Sequence, residues 1–538
     1  MGGIIELLDC TLRDGAYIVD GKFGTQAIRG IIKKLQDANV DIIECGWLKD
    51  SPHEEGTSFF HLPSDLQPYL VNKRDRVTYV AMIDWDRYQV DALPQCDGKT
   101  INAIRVVFPH GKHLEGIAVG REIAKKGYQV YFQAANTLMY SEQDLIMLAE
   151  EMNKVNPVGV SIVDTFGAMY HEDLERIVSV LNQTLDSQIR LGFHSHNNQQ
   201  LSFALSMRFI ELMRQTNRNC IVDASLCGMG RGAGNATTEL VASYLNRKWQ
   251  SNYDMNQILD AIDMYMPYFQ ENYVWGYSTP YFIAGMYCCH VNNIAYLQEN
   301  HRANTQDMRN IIESLEPADR RKYDYDLLEK KYLENQNRAV DDAAVLAQLK
   351  EEFYGREILL IAPGITSKTE QEKVKSYIWD KNPMIIGVNA INTLYEYDYL
   401  FFVNSVRYEY AKESYASQFA RTNKILLSNI KTNPDENERI VNFNRVVKRG
   451  WKHFDNAVIN LLRLLEKLEV EQISIVGFDG FKHRYNESYA DALLPTLNPD
   501  NQWDALNDEI LDMFQDFQNS IKTNINIKFV TESIFDKQ

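Results

Sequence analysis

GVSIVDTFGAMYHEDLERIVSVLNQTLDSQIRLGFHSHNN occupies residues 159–198, and its reading decides the fold. Two short β-rich runs, 159–165 and 189–197, flank the segment EDLERIVSVLNQTL (172–185). In that segment Leu174, Ile177, Val178 and Leu181 recur at helical spacing. Strand, helix and strand in this order imply a right-handed crossover and a parallel sheet. Working outward, the same alternation continues through β-rich runs at 4–11, 40–47, 76–84, 103–110, 129–136 and 221–226. Amphipathic stretches such as TQAIRGIIKKLQDANV (25–40) lie between them. Eight such units within roughly 250 residues match a closed (β/α)8 barrel, the TIM barrel. An open doubly wound sheet more often carries a Gly-rich phosphate loop after its first strand. That position here reads DCTLRDG (9–15).

The pattern changes at about residue 254. The segments 290–315 and 319–353 are helical in composition, and we read 254–352 as a helical module packed on the barrel. At Glu357 an α/β pattern restarts with EILLIAPG, followed by PMIIGVNAI, YLFFVNS and KILLS. A polar stretch (431–439) and a helix (451–468) precede QISIVGFDGF and NIKFVTES. The sequence therefore predicts an α/β protein in three parts. These are a barrel (1–253), the helical module (254–352) and a Rossmann-like open-sheet domain (355–538), with a join near Tyr354-Gly355-Arg356.

Composition narrows the function. A net charge of −17 disfavours nucleic acid and anionic membranes as partners. The seven cysteines are odd in number and show no CxxC spacing, which argues against a disulfide framework and a structural zinc site. The N-terminus has no basic region followed by an apolar stretch, and no apolar run is long enough to span a bilayer, so the expected compartment is the cytoplasm.

Active-site residues of a barrel sit at the carboxyl ends of its strands. His194 and His196 are two apart on one strand end, so both face the same side. With Asp14 from the first strand end they make a set of two nitrogens and one oxygen. Such a set suits Mn, Co, Fe, Ni or Zn, and Mg if waters fill the shell. The bland alternative for a His-x-His is two ordinary histidines. Arg13 has its own, an ion pair with Asp14 or Glu44.

LDCTLRDG (8–15), GFHSHNN (192–198) and DASLCGMGRGAGNA (223–236) together resemble the metal-dependent lyase-type barrels. That family includes hydroxymethylglutaryl-CoA lyase, isopropylmalate synthase and 4-hydroxy-2-oxovalerate aldolase. The resemblance covers about the first 290 residues. It implies that Asp14, His194 and His196 bind a divalent metal, Mn or Mg first and Co or Zn next, with Asn235 closing the site. Arg13 would hold an enolate oxygen. The run GMGRGAGN (228–235) lacks the Glu-Arg pair of the acyl-CoA-dependent synthases, and SIVDTFGAM (161–169) resembles the aldolase branch. In GYSTPY (276–281), Tyr281 matches a Tyr that lies near the aldehyde in those aldolases. One position departs from the pattern. Where the aldolases place a His three residues after the metal Asp, this chain has Tyr17. Tyr17 with a lowered pKa, His110 at the end of the fourth strand, or a metal-bound water would then move the proton. Cys227 lies near the position of a lyase-branch catalytic Cys and reads as a small strand-end residue.

The C-terminal domain places Gly364, Thr366 and Ser367 directly after a strand, a common phosphate or nucleotide cradle. Asn389, Asn404 and Asp479 fall at other predicted strand ends. The layout faintly resembles nucleotide-sugar-using transferases of bacterial surface-glycan loci. The expected activity is a metal-dependent aldolase or lyase acting on a 2-oxo acid and an aldehyde, with a nucleotide or nucleotide-sugar at the C-terminal domain and a homo-oligomer or a partner dehydrogenase as associates. The alternatives are a Claisen-type acyl-CoA synthase and a barrel that scaffolds the C-terminal domain.

Overall fold

The computed structural model describes residues 3–301, 303–337, 339–432, 436–452, 456–482, 485–496 and 503–536. The chain forms two compact units, one of residues 1–294 with 317–322 and one of 295–316 with 323–538.

The first unit is an eight-stranded parallel barrel of β1 (Ile5–Asp9), β2 (Ile42–Leu48), β3 (Thr78–Asp84), β4 (Ala103–Phe108), β5 (Gln129–Ala134), β6 (Gly159–Asp164), β7 (Arg190–Ser195) and β8 (Cys220–Ala224). Each strand pairs with the next, and β1 pairs with both β2 and β8, which closes the ring. The two-residue strand Phe59–Phe60 adds to the side of β2.

Period-two alternation sorts the side chains. One interior layer is apolar, with Leu8, Ile42, Val80, Ala103, Tyr131 and Ile221 packed together. Two residues further along the same strands the interior turns polar, at Glu44, Arg105, Gln133 and Asp223, all buried. The opposite strand faces pack on helices. In the helix Thr25–Asp37, Ile28, Ile31, Ile32 and Leu35 repeat at i, i+3, i+4 and i+7 and are all fully buried. Each such side chain contributes about 1.5–3 kcal/mol by leaving water. Gly30 of this helix allows close approach of the helix Met255–Asn272, since a Cβ there would lie 2.0 Å from the Tyr265 ring.

The second unit contains a seven-stranded parallel sheet of β9 (Glu357–Ile361), β10 (Met384–Val388), β11 (Tyr399–Phe402), β12 (Asn423–Leu427), β13 (Glu438–Val441), β14 (Gln472–Val476) and β15 (Asn526–Phe529). Their order is β13-β12-β11-β10-β9-β14-β15. Strand β13 overlaps the stretch read as merely polar. Among the described residues it pairs only with β12, and it is half buried, so its sequence carries little apolar signal. The helix expected at 451–468 is Ala457–Lys467, and residues 453–455 lie outside the described residues.

The expected module 254–352 and the join at 354–356 correspond to no division of this structure. The helices Met255–Asn272 and Thr279–Met286 belong to the barrel unit, whereas Thr305–Ser314, Tyr325–Gln336 and Ala343–Phe353 belong to the second. Tertiary contacts override helical composition here. Phe353 packs edge-on against Tyr399 of β11 at 5.3 Å, and the Asp342 carboxylate accepts from Arg445 Nε at 2.6 Å. All seven cysteines are free. Among the described residues, no helix is long and apolar enough to cross a membrane.

Candidate metal centre

Strand ends assemble the site. Asp14 follows β1 in the short helix Thr11–Asp14, and His194 is the second-last residue of β7 with His196 just beyond its end. Asp14 Oδ2 lies 3.8 Å from His194 Nε2 and 3.4 Å from His196 Nε2, and the two imidazoles stand at 89°. One ligand atom from each of the three residues falls within 4.8 Å of the others, an arrangement able to hold a metal ion.

The closing loop brings a fourth residue. Asn235 forms an isolated antiparallel bridge with His196. Gly230 makes room for it, since a Cβ there would meet Asn235 Nδ2 at 2.4 Å and Asp14 Oδ2 at 2.9 Å. Asp14 Oδ2, His196 Nε2 and Asn235 Oδ1 are all buried and without a hydrogen-bond partner. Three lone-pair donors left unsatisfied in one place fit a cation, because burying them unpaired would cost about 1–3 kcal/mol each.

Outer contacts orient the imidazoles. His194 Nδ1 lies 3.1 Å from Asp223 Oδ2, and His196 Nδ1 lies 3.2 Å from the Asp164 carbonyl oxygen. With Nδ1–H donating in each case, both Nε2 lone pairs face Asp14, the arrangement typical of metal-binding histidines. Charge runs in a closed chain around the interior. Arg13 donates from Nη1 to Asp14 Oδ1 and from Nε to Glu44 Oε2, each at 2.7 Å. Arg105 then bridges Glu44 and Asp223. Burial alone would raise the Asp14 pKa, but Arg13 and the two histidines hold it far below the usual carboxylate range. Burial lowers that of His194. Both groups therefore present lone pairs at neutral pH.

A cavity of about 180 Å³ opens over this cluster, and Arg13, Tyr17, Trp47, Arg231 and His290 are among its walls. The Arg13 ion pairs foreseen as a structural alternative do form, yet its Nη2 keeps no partner among the described residues and Arg13 lines the cavity. Tyr17 is a half-exposed residue whose ring lies 4.9 Å from the Arg231 guanidinium carbon and packs edge-on to Trp47. Desolvation of its phenol outweighs Arg231 and Arg13 and pushes its pKa up to about 12, opposite to the direction a general base would need.

The structure does not bring His110 or Tyr281 to this cavity. His110 pairs with Asp144 at 3.4 Å on the surface and packs edge-on against Tyr140, and Tyr281 lies within the helix Thr279–Met286. Burial raises the Cys227 thiol to about 12, and its backbone carbonyl accepts from Trp275. Sequence reasoning missed Arg105, Asp223, Arg231 and His290. The first two carried a signal, namely a charged residue inside an otherwise apolar strand. His290 follows the helix Thr279–Met286 and reaches the cavity only through folding. Burial and Arg231 lower its pKa to about 3, so it is neutral at physiological pH.

In the second unit, the Thr366 amide and hydroxyl both donate to Asp479, and the buried Ser367 hydroxyl donates to the Gly364 carbonyl. A Cβ on Gly364 would lie 2.5 Å from the Asp479 carboxylate. The turn expected to cradle a phosphate is thus filled by a carboxylate of the chain itself.

Residues 115–264 match the HMGL-like family model. The 4-hydroxy-2-oxovalerate aldolase of Geobacillus genomosp. 3 is 28% identical over 272 residues, 48% of this chain and 76% of that protein. The protein of the same name from Roseiflexus castenholzii is 29% identical over 273 residues, again 48% and 76%. Among solved structures, the HMG-CoA lyase from Brucella melitensis aligns with TM-score 0.40 and 15% identity, over 50% of this chain and all of that one. The carboxyl transferase domain of Rhizobium etli pyruvate carboxylase aligns with TM-score 0.48 and 14% identity, over 64% of each chain.

Proposed function

Because its barrel carries an HMGL-like domain, of the lyase and aldolase barrel family, we propose that this enzyme makes or breaks a carbon–carbon bond next to a 2-oxo acid. The observation that carries the reading is the convergence of Asp14, His194 and His196, with unsatisfied Asp14, His196 and Asn235 atoms at one point beneath an arginine-lined cavity. We assign Asp14, His194, His196 and Asn235 as holders of a divalent cation, Mn or Mg. A bound cation of this kind supplies Lewis-acid stabilisation of negative charge that develops on the substrate's oxygens.

The chain's own residues do the rest. Arg13, fixed through Nε and Nη1, aims its remaining donors into the cavity, where they stabilise enolate charge as the carbon–carbon bond breaks. Arg231 offers a second cation for a carboxylate. Tyr17 keeps its proton at neutral pH and serves as a hydrogen-bond donor. His290, in the same cavity, accepts the Asn292 amide N–H at Nδ1, so its neutral ring presents Nε2–H as a hydrogen-bond donor. The aldehyde product or co-substrate completes the reaction, and the net charge of −17 supports placing the enzyme in the cytoplasm.

The test is a screen of 2-oxo acids and 4-hydroxy-2-oxo acids, each with aldehydes of increasing length and with Mn or Mg added, followed by pyruvate formation or consumption. Turnover that requires the added metal is the expected result. Release of free CoA from an acyl-CoA without any pyruvate signal would overturn the aldolase reading in favour of a Claisen-type synthase.

A further inference from the structure

The order β13-β12-β11-β10-β9-β14-β15 reverses its direction of growth at β9, whose neighbours are β10 and β14. In open parallel sheets, ligands occupy the crevice outside the carboxyl ends of the strands at such a switch point. Here that crevice is a cavity of about 160 Å³, whose walls include Gly364 after β9, Asn389 after β10, Asn404 after β11 and Gly477 after β14.

Among the described residues, Arg407 is the cation that lines this cavity. It is only 7% exposed, and no carboxylate lies within ion-pair distance of it among the described residues. Its Nη1 is buried without a hydrogen-bond partner. Its guanidinium carbon lies 5.0 Å from the centre of the Tyr489 ring, a contact that offsets part of the desolvation but satisfies no N–H. Glu509 also lines the cavity and has its own polar contact, and the Arg407 charge reaches Asp491 without pairing with it. Asp479 accepts from Thr366, and Asp491 accepts from the hydroxyls of Tyr410 and Tyr415. Leaving a guanidinium donor unmet inside a protein is strongly unfavourable.

Two amides line the same cavity. Asn389 adopts a left-handed backbone (φ 56°), and its Oδ1 accepts from the Val403 amide. Asn404 Oδ1 caps the helix Ser405–Ser414 by accepting from the Arg407 amide. Both side chains therefore spend their acceptors on the backbone, and their NH2 donors have no partner among the described residues. Donors without matching acceptors call for an anion. Phe478, Ile510, Met513 and Phe535 give the cavity an apolar wall.

We propose that this cavity binds a small organic anion, a phosphomonoester or carboxylate carried on an apolar or aromatic body. Arg407 holds the anionic head in its planar fork, with the Asn389 and Asn404 amides beside it. The site is separate from the barrel chemistry and does not depend on it.

The test uses the full-length protein and calorimetric titration with phenyl phosphate, benzoate and inorganic phosphate. Phenyl phosphate and benzoate separate the two head groups, and inorganic phosphate tests the need for a body. Saturable binding of one of the two organic anions is expected, at least tenfold weaker in Arg407→Met and in Asn404→Asp. Asn404→Asp keeps the helix cap while adding a repelling charge, so it reads the site even if Arg407→Met fails to fold. The His194→Ala/His196→Ala variant, altered only in the barrel, should bind as wild type does. Absence of saturable organic-anion binding, equal affinity in both Arg407→Met and Asn404→Asp, or loss of binding in the barrel variant would overturn the proposal. Equal affinity for inorganic phosphate would overturn the role of the apolar wall.

Discussion

Asp223 Oδ2 lies 3.1 Å from His194 Nδ1, and the same oxygen accepts from Arg105. A carboxylate from β8 thus sets the tautomer of an imidazole on β7, while an arginine from β4 fixes the carboxylate. Burial alone would raise the Asp223 pKa, but Arg105 and His194 hold it down, so it stays ionised at the barrel centre. Asp223→Asn keeps the shape and removes the charge. We expect divalent-metal affinity to fall by about 10–100-fold, the usual cost of losing such an outer contact. Metal titration followed by calorimetry reads the change, and unaltered affinity would remove Asp223 from the site.

His194→Ala combined with His196→Ala should abolish bound divalent metal and turnover and leave the barrel folded. One carboxylate and one amide do not hold a cation tightly on their own. Elemental analysis and circular dichroism of the purified variant check both halves. Stoichiometric metal in the double variant would sink the ligand assignment.

Arg13→Lys preserves charge but cannot donate to Glu44 and Asp14 at once and still reach the cavity. Turnover should fall on the order of 10²-fold, as for a lost oxyanion donor, with metal content unchanged. A variant as fast as wild type would show that Arg13 serves only to pair its neighbours.

Asp9 predicts a pH dependence. It is buried at the end of β1, and desolvation lifts its pKa to about 6 despite hydrogen bonds from Thr238 and Thr11. Between the unfolded value near 3.8 and that raised value, the folded state binds more protons than the unfolded state. The contribution is therefore fully present below about pH 4 and is lost as pH rises through about 6, with a slope of up to about 1.4 kcal/mol per pH unit. Asp9→Asn should flatten this part of the profile of stability against pH, measured by urea unfolding from pH 4 to 7. An unchanged slope in that window would refute it.

A fragment ending at Tyr323 contains every residue of the barrel unit. It should bind metal as the full chain does. A fragment ending at Glu352 adds helices of the second unit in which Leu328 and Leu349 are buried. It should be less soluble, because those apolar faces lose their sheet. Sedimentation of the two fragments at equal concentration compares them, and equal behaviour would mean that these helices pack without the sheet.

The barrel was legible because its signals are local. Alternating β-rich runs and amphipathic helices specify strand and helix residue by residue, and the His194–His196 spacing places both imidazoles on one side of one strand. Strand β13 and the helices between 254 and 352 were not legible. An edge strand buries too little to leave an apolar pattern, and helical composition does not say which core a helix joins. The sequence by itself determined a parallel barrel and pointed to Asp14, His194, His196 and Arg13 as its candidate site residues. Only the tertiary structure decided that Arg105 and Asp223 hold His194 in place, that Tyr17 retains its proton and His290 enters the cavity, and that Asp479 occupies the Gly364 turn while Arg407 is left with an open donor. These are contacts between residues dozens to hundreds apart in the chain. Their energies depend on desolvation and on which neighbours share the buried space, and neither is written in the local pattern.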